Sequence, residues 1–223
     1  MAATVELVRR PRTQLNRVAM GSKDEVYFLH AATREDAEAL GTALQKVGFL
    51  NNRGTTVLLS KGTAGTLVSF VLSTGGWDHP ATIYSFEEIG RRIAGSVGGF
   101  PIKVRLIDSH RILHRELTVG KAAIGAKDVV YYYGNSTEAD ARALGAALHS
   151  AGFLQDLGAA VVISRDSGAA ISFVVGDGVW DRPDAVAGFE RLTRAVASSV
   201  GGLPLELRLL NGAMEPKKTV RVE

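Results

Sequence analysis

The two halves of this chain carry corresponding sequences, and this correspondence constrains the fold more than any other feature. By count, about 45% of the aligned positions are identical. The offset is constant except for one residue lost between Asp166 and Gly168. The clearest matches are residues 21–27 with 125–131, 40–50 with 144–154, 69–71 with 172–174, 77–80 with 180–183, and 96–101 with 199–204. The pattern indicates a tandem duplication.

Composition is typical of a globular protein. Of the 223 residues, 46% are hydrophobic and 22% are charged. The correspondence predicts a basic N-terminal strand or tail over residues 1–17, a first repeat over 18–119 and a second over 120–223. Each repeat is large enough to bury a core of its own.

Several classes of protein are excluded or disfavoured. The chain has no cysteine, so disulfides, thiolate zinc sites and a cysteine nucleophile are excluded. The N-terminus lacks the apolar core of a signal peptide, and no apolar run is long enough to span a membrane. We therefore expect a cytoplasmic location if this N-terminus is native. The net charge of +3 is concentrated partly near both ends, which favours solvated tails over a nucleic-acid contact.

Each repeat has the same pattern of predicted elements. In the first, residues 24–29 predict a strand, and 33–47 predict a helix capped by Thr33 and ended by Gly48. Two strands follow at 56–60 and 67–72, then a helix from the Trp-Asp-x-Pro segment to residue 97. Strands at 102–107 and 113–119 complete the repeat. The order predicts an α+β fold of two tandem ferredoxin-like βαββαβ units forming a pseudo-dimer, with residues 102–107 on a sheet edge.

Strand parity predicts which side chains point away from the helices. In the first repeat this open face carries Tyr27, Leu29, Leu67, Ser69, Val71, Lys103 and Arg105; in the second it carries Tyr131, Tyr133, Ser172, Val174, Glu206 and Arg208. Both faces are too apolar to stay in water. We expect the two faces to bury each other, with an edge-to-edge continuous sheet as the alternative. Another subunit or a ligand could also cover them.

The Trp-Asp-x-Pro segments are the most distinctive local feature. Trp77 with Asp78, and Trp180 with Asp181, could hold a sugar, a base or a cation. The alternative is structural: each tryptophan packs on the end of the sheet, and each aspartate caps the following helix. We favour the structural interpretation.

No grouping of residues predicts catalysis, a metal site or a cofactor. No histidine recurs in both repeats, and the only close pair, His110 and His114, falls in a loop and strand. Charged positions do recur, among them Glu87 with Glu190, Arg91 with Arg194, and Arg105 with Arg208. For Arg105 on the semi-apolar open face, we favour packing of the aliphatic stem with the guanidinium in water; an interface ion pair or an anion contact is the alternative.

Two resemblances bear on function. The repeat resembles the RNA-recognition domain in element order, and Tyr27 and Tyr131 stand where its strand-one aromatic stacks on bases. The strand-three signature departs from that family, which argues against RNA binding. The run 130–154, together with Trp180-Asp181 and 199–202, resembles a domain of uncharacterised bacterial proteins, a resemblance that implies no activity.

The functional prediction is a non-enzymatic module that binds a protein partner or self-associates. The alternative is a small-ligand or nucleic-acid binder that uses Tyr27, Tyr131, Arg105 and Arg208 on the sheet faces together with Trp77, Asp78, Trp180 and Asp181. A second alternative is an enzyme with a site at the repeat interface.

Overall fold

The structure is a computed structural model that describes residues 15–73, 75–166 and 168–223. Within these residues the chain forms eleven strands and four α-helices. The strands are β1 Asn16–Met20, β2 Asp24–His30, β3 Thr56–Gly62, β4 Gly65–Val71, β5 Ile102–Ile107, β6 Leu113–Ile124, β7 Asp128–Gly134, β8 Ala160–Arg165, β9 Ala169–Val174, β10 Leu205–Leu210 and β11 Pro216–Val222. The helices are α1 Arg34–Lys46, α2 Pro80–Ile93, α3 Glu138–Ser150 and α4 Pro183–Val196.

All eleven of these strands belong to one mixed sheet, in which they follow chain order from β1 to β11. The crossovers through α1 and α2 join parallel neighbours, β2 with β3 and β4 with β5. Hairpins join antiparallel neighbours such as β3 with β4. The second half repeats this arrangement through α3 and α4.

Strand β6 connects the two halves. Its 12 residues serve both, because Leu113–Val119 pair with β5 and Thr118–Ile124 pair with β7. Its first part corresponds in sequence to β11 and its second part to β1. The sheet is therefore continuous across the boundary between the halves. This was the alternative to two mutually buried faces.

The prediction of two ferredoxin-like units is wrong. That fold orders its four strands 4-1-3-2, whereas these strands lie in chain order. Ile102–Ile107, predicted to be an edge, lies between β4 and β6. Its alternation of apolar and charged residues reflects one uncovered face of the sheet, not an unpaired edge. Lys103 and Arg105 point to that face and both pair with Glu116 on β6.

The helices form because the local signals agree. Thr33 caps α1 in a reciprocal capping box with Asp36, as predicted, and Thr137 caps α3 in the same way with Asp140.

The sequence places glycine where α1 and α3 approach the sheet. A Cβ on Gly41 would collide with Met20, and one on Gly145 with Ile124. These helices can therefore lie close to β1 and to the second part of β6.

Each half has one buried aspartate that binds a loop. Asp24 at the start of β2 binds the loop before β3, and Asp128 at the start of β7 binds the loop before β8. Asp24 accepts hydrogen bonds from the backbone N–H groups of Asn52, Gly54 and Thr55 at 2.6, 2.8 and 2.8 Å. Asp128 does the same in the second half. Burial raises the pKa of each carboxyl, but the backbone donors outweigh it and the net shift is downward.

The core lies in alternating layers. Side chains such as Val26, Phe28 and Phe70 point from the first half of the sheet to α1 and α2. Their counterparts in the second half point to α3 and α4. Residues from the opposite side of the second half, Tyr133, Val162 and Leu210, also belong to the first core. The order of layers is therefore sheet, helices, sheet, helices.

Some sequence predictions fall where the structure gives no description. The arginines at positions 9, 10 and 12 lie outside the described residues, as does most of the predicted N-terminal segment 1–17. In the part of the chain that is described, no helix is both long enough and apolar enough to cross a membrane.

Candidate functional site

The two halves of the sheet differ in what covers the side away from their own helices. We call these surfaces the first sheet face, formed by Tyr27, Leu29, Leu58, Leu67, Val71 and Arg105, and the second sheet face, formed by Tyr131, Tyr133, Val162, Ala170, Val174 and Arg208. Paired register places each set on one side of the sheet, as parity predicted. Members of the two sets correspond one to one in sequence.

Helix α2 covers the second sheet face. Tyr133 is 0% exposed, Val162 is 1% exposed and Ala170 is 3% exposed. The corresponding residues Leu29, Leu58 and Leu67 are only half-buried. The difference arises because α2 lies between the two halves, and no element of the described chain occupies the same position over the first sheet face.

A buried polar cluster fixes α2 on the second sheet face. The Tyr133 hydroxyl donates to Oε1 of Glu88 at 2.7 Å, and Arg91 donates to Oε2 of the same carboxylate at 2.8 and 3.0 Å. The Arg91 guanidinium also lies 5.6 Å from the centre of the Tyr131 ring. Burial, followed by the Glu88 charge, raises the pKa of the Tyr133 hydroxyl, so it remains a donor at neutral pH.

Further contacts hold the two ends of α2. The hydroxyl of Tyr84 donates to the backbone carbonyl of Met214, and Arg92 donates to the carbonyl of Ala213 at 3.2 Å. The guanidinium of Arg208 lies 5.9 Å from the centre of the Tyr84 ring. Burial raises the pKa of Tyr84 as well. The halves are thus joined by specific polar contacts in addition to apolar packing.

Two carboxyl groups also meet at this boundary, Glu87 buried and Asp166 half-buried. Burial raises the pKa of Glu87 well above its usual value, and the charge and hydrogen bond of Asp166 raise it further, while Arg208 opposes the shift. Oε1 of Glu87 has no hydrogen-bond partner in the described chain. The adjoining cavity has a volume of about 30 Å³, and its lining includes Ser164. This is room for about one water molecule and not for a substrate.

The first sheet face is apolar at its centre and charged at one side. Tyr27, Leu29 and Leu58 lie together on β2 and β3, while Lys103 and Arg105 bind the Glu116 carboxylate at 2.7 Å each. The hydrogen bond from Lys103 lowers the pKa of Glu116, and Arg105 lowers it further against a smaller effect of burial. One carboxylate offsets one of these two cations, so the surface suits an apolar partner with some matching charge better than a polyanion.

The residues predicted as ligand contacts do not converge on one site. Tyr27 and Arg105 lie on the first sheet face, whereas Tyr131 and Arg208 lie under α2. Trp77 stacks on His114 with ring centres 3.6 Å apart. Trp180 is half-buried against the second core.

The predicted helix caps at the Trp-Asp-x-Pro segments are wrong. His79 and Arg182 occupy the N-cap positions of α2 and α4, and neither side chain makes a capping hydrogen bond. Asp78 is exposed and lies 3.6 Å from Arg115. Asp181 is exposed within a short 3-10 turn that precedes α4.

Tyr84 and Glu88 are interface residues that the sequence reasoning missed. That reasoning compared charges shared by both halves, but these two have no counterpart, because Ala187 and Arg191 occupy the matching positions of α4. The difference in sequence between α2 and α4 could have identified them. Helix α2 carries large side chains on the side away from its own sheet, where α4 carries a small residue and an exposed arginine.

Glu87 and Arg91 lie four residues apart on α2, a spacing that favours an ion pair, but Arg91 binds Glu88 instead. The corresponding ion pair exists in the second half, where Arg194 lies 3.6 Å from Glu190. The two helices therefore use the same pair of positions differently, one buried between layers and the other partly exposed.

Comparison with models of known protein families, with curated protein sequences and with solved structures found no match for this chain.

Proposed function

We propose that the protein is a non-enzymatic binding or assembly module that acts through protein–protein contacts, and that the first sheet face is its contact surface. One observation carries this proposal. Two corresponding sheet faces exist in the chain, and the one that α2 covers buries Tyr133 and Val162 to 0% and 1% exposure. The other presents Leu29, Leu58 and Leu67 half-buried.

The chemistry of the first sheet face favours protein as the partner. Its centre is apolar, and its two cations share one carboxylate, so it offers little net charge to a phosphate backbone. A helix covers the corresponding surface of the second half, which demonstrates that a face with this pattern accepts a packed helix. Apolar patches rimmed by polar residues are typical of protein interaction sites.

Photo-crosslinking tests the proposal. A photoreactive amino acid replaces Leu58 at the centre of the first sheet face, and in a control chain it replaces Glu38, an exposed residue on α1. We expect irradiation of cells that produce the full chain to yield protein adducts from position 58 and not from position 38. Adducts with nucleic acid alone, or equal yields at both positions, would contradict a protein-binding role for this face.

A further inference from the structure

The alternating layers of this chain end in two unlike surfaces. One end is a sheet without a covering helix layer, and the other is the outer side of α4, which no further sheet covers in the described chain. Inside the molecule, the corresponding surfaces are already in contact, since α2 lies on the second sheet face. The chain thus contains one complete helix-on-sheet interface. It also contains, far apart, the two surfaces that would make a second such interface.

We propose that α4 of one copy docks on the first sheet face of a second copy, in the way that α2 docks on the second sheet face. The inference rests on the proposed function and names its partner as this same chain. The two surfaces are different, so the contact is head-to-tail and builds either a closed ring or an open filament.

Residues that make the internal interface are retained at the two ends of the chain. Glu190 and Arg194 on α4 match Glu87 and Arg91, and Tyr27 and Arg105 on the sheet match Tyr131 and Arg208. Within one molecule, Glu190 and Arg194 cannot contact the first sheet face, because that face lies at the opposite end of the layers. Docking of two copies reunites them.

The retained residues are complementary in charge. In the internal interface, Arg208 and Glu87 line the same small cavity. The docked arrangement brings Arg105 to Glu190 in the same relation. It also brings Arg194 over the ring of Tyr27, as Arg91 lies 5.6 Å over that of Tyr131.

An exposed apolar side chain supports the same arrangement. Phe100 follows α2 and packs edge-on against Tyr131, with ring centres 5.9 Å apart. Its counterpart after α4 is Leu203, which is 44% exposed and one of the few large apolar residues at the surface of the described chain. Docking places Leu203 against Tyr27, where an apolar contact replaces its exposure to water.

The residues of the two interfaces differ in size, and the buried polar cluster is missing from the second. Leu67 is larger than its counterpart Ala170, while Ala187 is smaller than Tyr84. Leu29 and Arg191 replace the hydrogen-bonded Tyr133 and Glu88. The contact between copies therefore depends on apolar burial and on exposed ions, so we expect it to be reversible and dependent on protein concentration.

Sedimentation of two complementary variants tests head-to-tail docking. Leu58→Asp places a charge in the first sheet face, and Glu190→Arg sets two cations against each other on the α4 side. We expect the parent chain to associate as its concentration rises, and each variant to associate at least about thirtyfold more weakly. An equal mixture should form a dimer and stop there, because one intact α4 surface and one intact sheet face remain. Glu38→Arg is the control and should behave as the parent does.

Two results would overturn the inference: a parent chain that stays monomeric up to a concentration of about 1 mM, or variants that do not recover a dimer when mixed. Thermal melting of each variant shows that it is folded. If the parent is monomeric but position 58 still crosslinks to a different protein, the proposed function stands and the self-docking fails. If neither occurs, both fail.

Discussion

The hydroxyl of Tyr133 donates a 2.7 Å hydrogen bond to Oε1 of Glu88 across the boundary between the two halves of the chain. Both side chains are buried, and Arg91 holds the other carboxylate oxygen. The contact joins a residue of the sheet to a residue of a helix that belongs to the other half. It is the most specific link between the two and has no equivalent at the first sheet face, where Leu29 replaces the tyrosine.

Tyr133→Phe should destabilise the fold by about 1–3 kcal/mol, because it leaves a buried carboxylate oxygen without its donor. Chemical denaturation measures the change in free energy of unfolding. Tyr27→Phe, on the uncovered face, is the control and should cost less than about 0.5 kcal/mol. Equal effects of the two substitutions would argue against the interface role of Tyr133.

Glu87→Gln should change how stability depends on pH. The carboxyl titrates near 4.5 when unperturbed, and its pKa is raised in the folded protein by burial and by Asp166. Between the two values folding takes up a proton, so Glu87 makes the parent chain less stable as the pH rises through this window. Glutamine cannot titrate, and its amide can still donate to Asp166.

Melting curves from pH 4 to 8 should therefore be flatter for Glu87→Gln than for the parent, and the variant should be the more stable of the two at pH 7. Glu190→Gln is the matched control on the exposed helix α4. The prediction fails if the difference between parent and Glu87→Gln is the same at every pH.

Asp24→Ala and Asp128→Ala should each destabilise the chain by about 3 kcal/mol, since each removes an ionised acceptor of three backbone hydrogen bonds. The lowered pKa of each carboxyl gives stability that is present above its usual value of 3.8 and lost as the pH falls through the folded value. Urea denaturation at pH 7 and pH 3 measures both effects. A cost at pH 3 as large as the cost at pH 7 would contradict the role of the charge.

Trp77→Ala and Trp180→Ala should lower stability without reducing association. Each indole is half-buried, and Trp77 stacks on His114, so truncation should cost about 1–3 kcal/mol. Thermal melting and sedimentation of the same samples separate the two effects. An unchanged melting temperature together with loss of a binding partner would indicate that the Trp-Asp-x-Pro segments are binding sites.

The sequence predicted the local elements and the faces of the strands better than their assembly. Alternation and helix-cap signals are local, so the strand containing Tyr27 and the capping box at Thr33 agree with the structure. The order of strands in the sheet depends on which strands pair, and this is not a local property. The alternation of apolar and charged residues in β5 fits an edge strand, and it equally fits a central strand of a sheet with one uncovered face. The length of β6, which joins both halves, contained the information that distinguishes them.

The candidate site shows the same limit. Parity placed Tyr27, Arg105, Tyr131 and Arg208 on the correct side of the sheet, but the sequence alone did not indicate that α2 would cover one pair and leave the other uncovered. That depends on how the two halves pack together, which brings residues of the second half into the first core. The sequence showed that Glu87 and Glu190 occupy matching positions. Only the order of the layers shows that Glu87 lies at an internal interface.

A charge exchange tests the orientation of the proposed contact between copies. Glu190→Arg should weaken association, and adding Arg105→Glu in the same chain should restore it, because the opposite charges then face each other with signs reversed. Sedimentation at matched concentration measures the recovery. Pairing Glu190→Arg with Arg34→Glu, at an exposed position on α1, is the control and should restore nothing.

Footprinting with a carbene or hydroxyl-radical reagent, read by mass spectrometry at low and high protein concentration, tests the central claim most directly. We expect Tyr27 and Leu58 on the first sheet face, and Leu203 beyond α4, to lose reactivity together as the protein concentration rises. Tyr133 and Val162, already covered by α2, should stay protected throughout. Reactivity at Tyr27, Leu58 and Leu203 that is high and independent of concentration would contradict docking between copies.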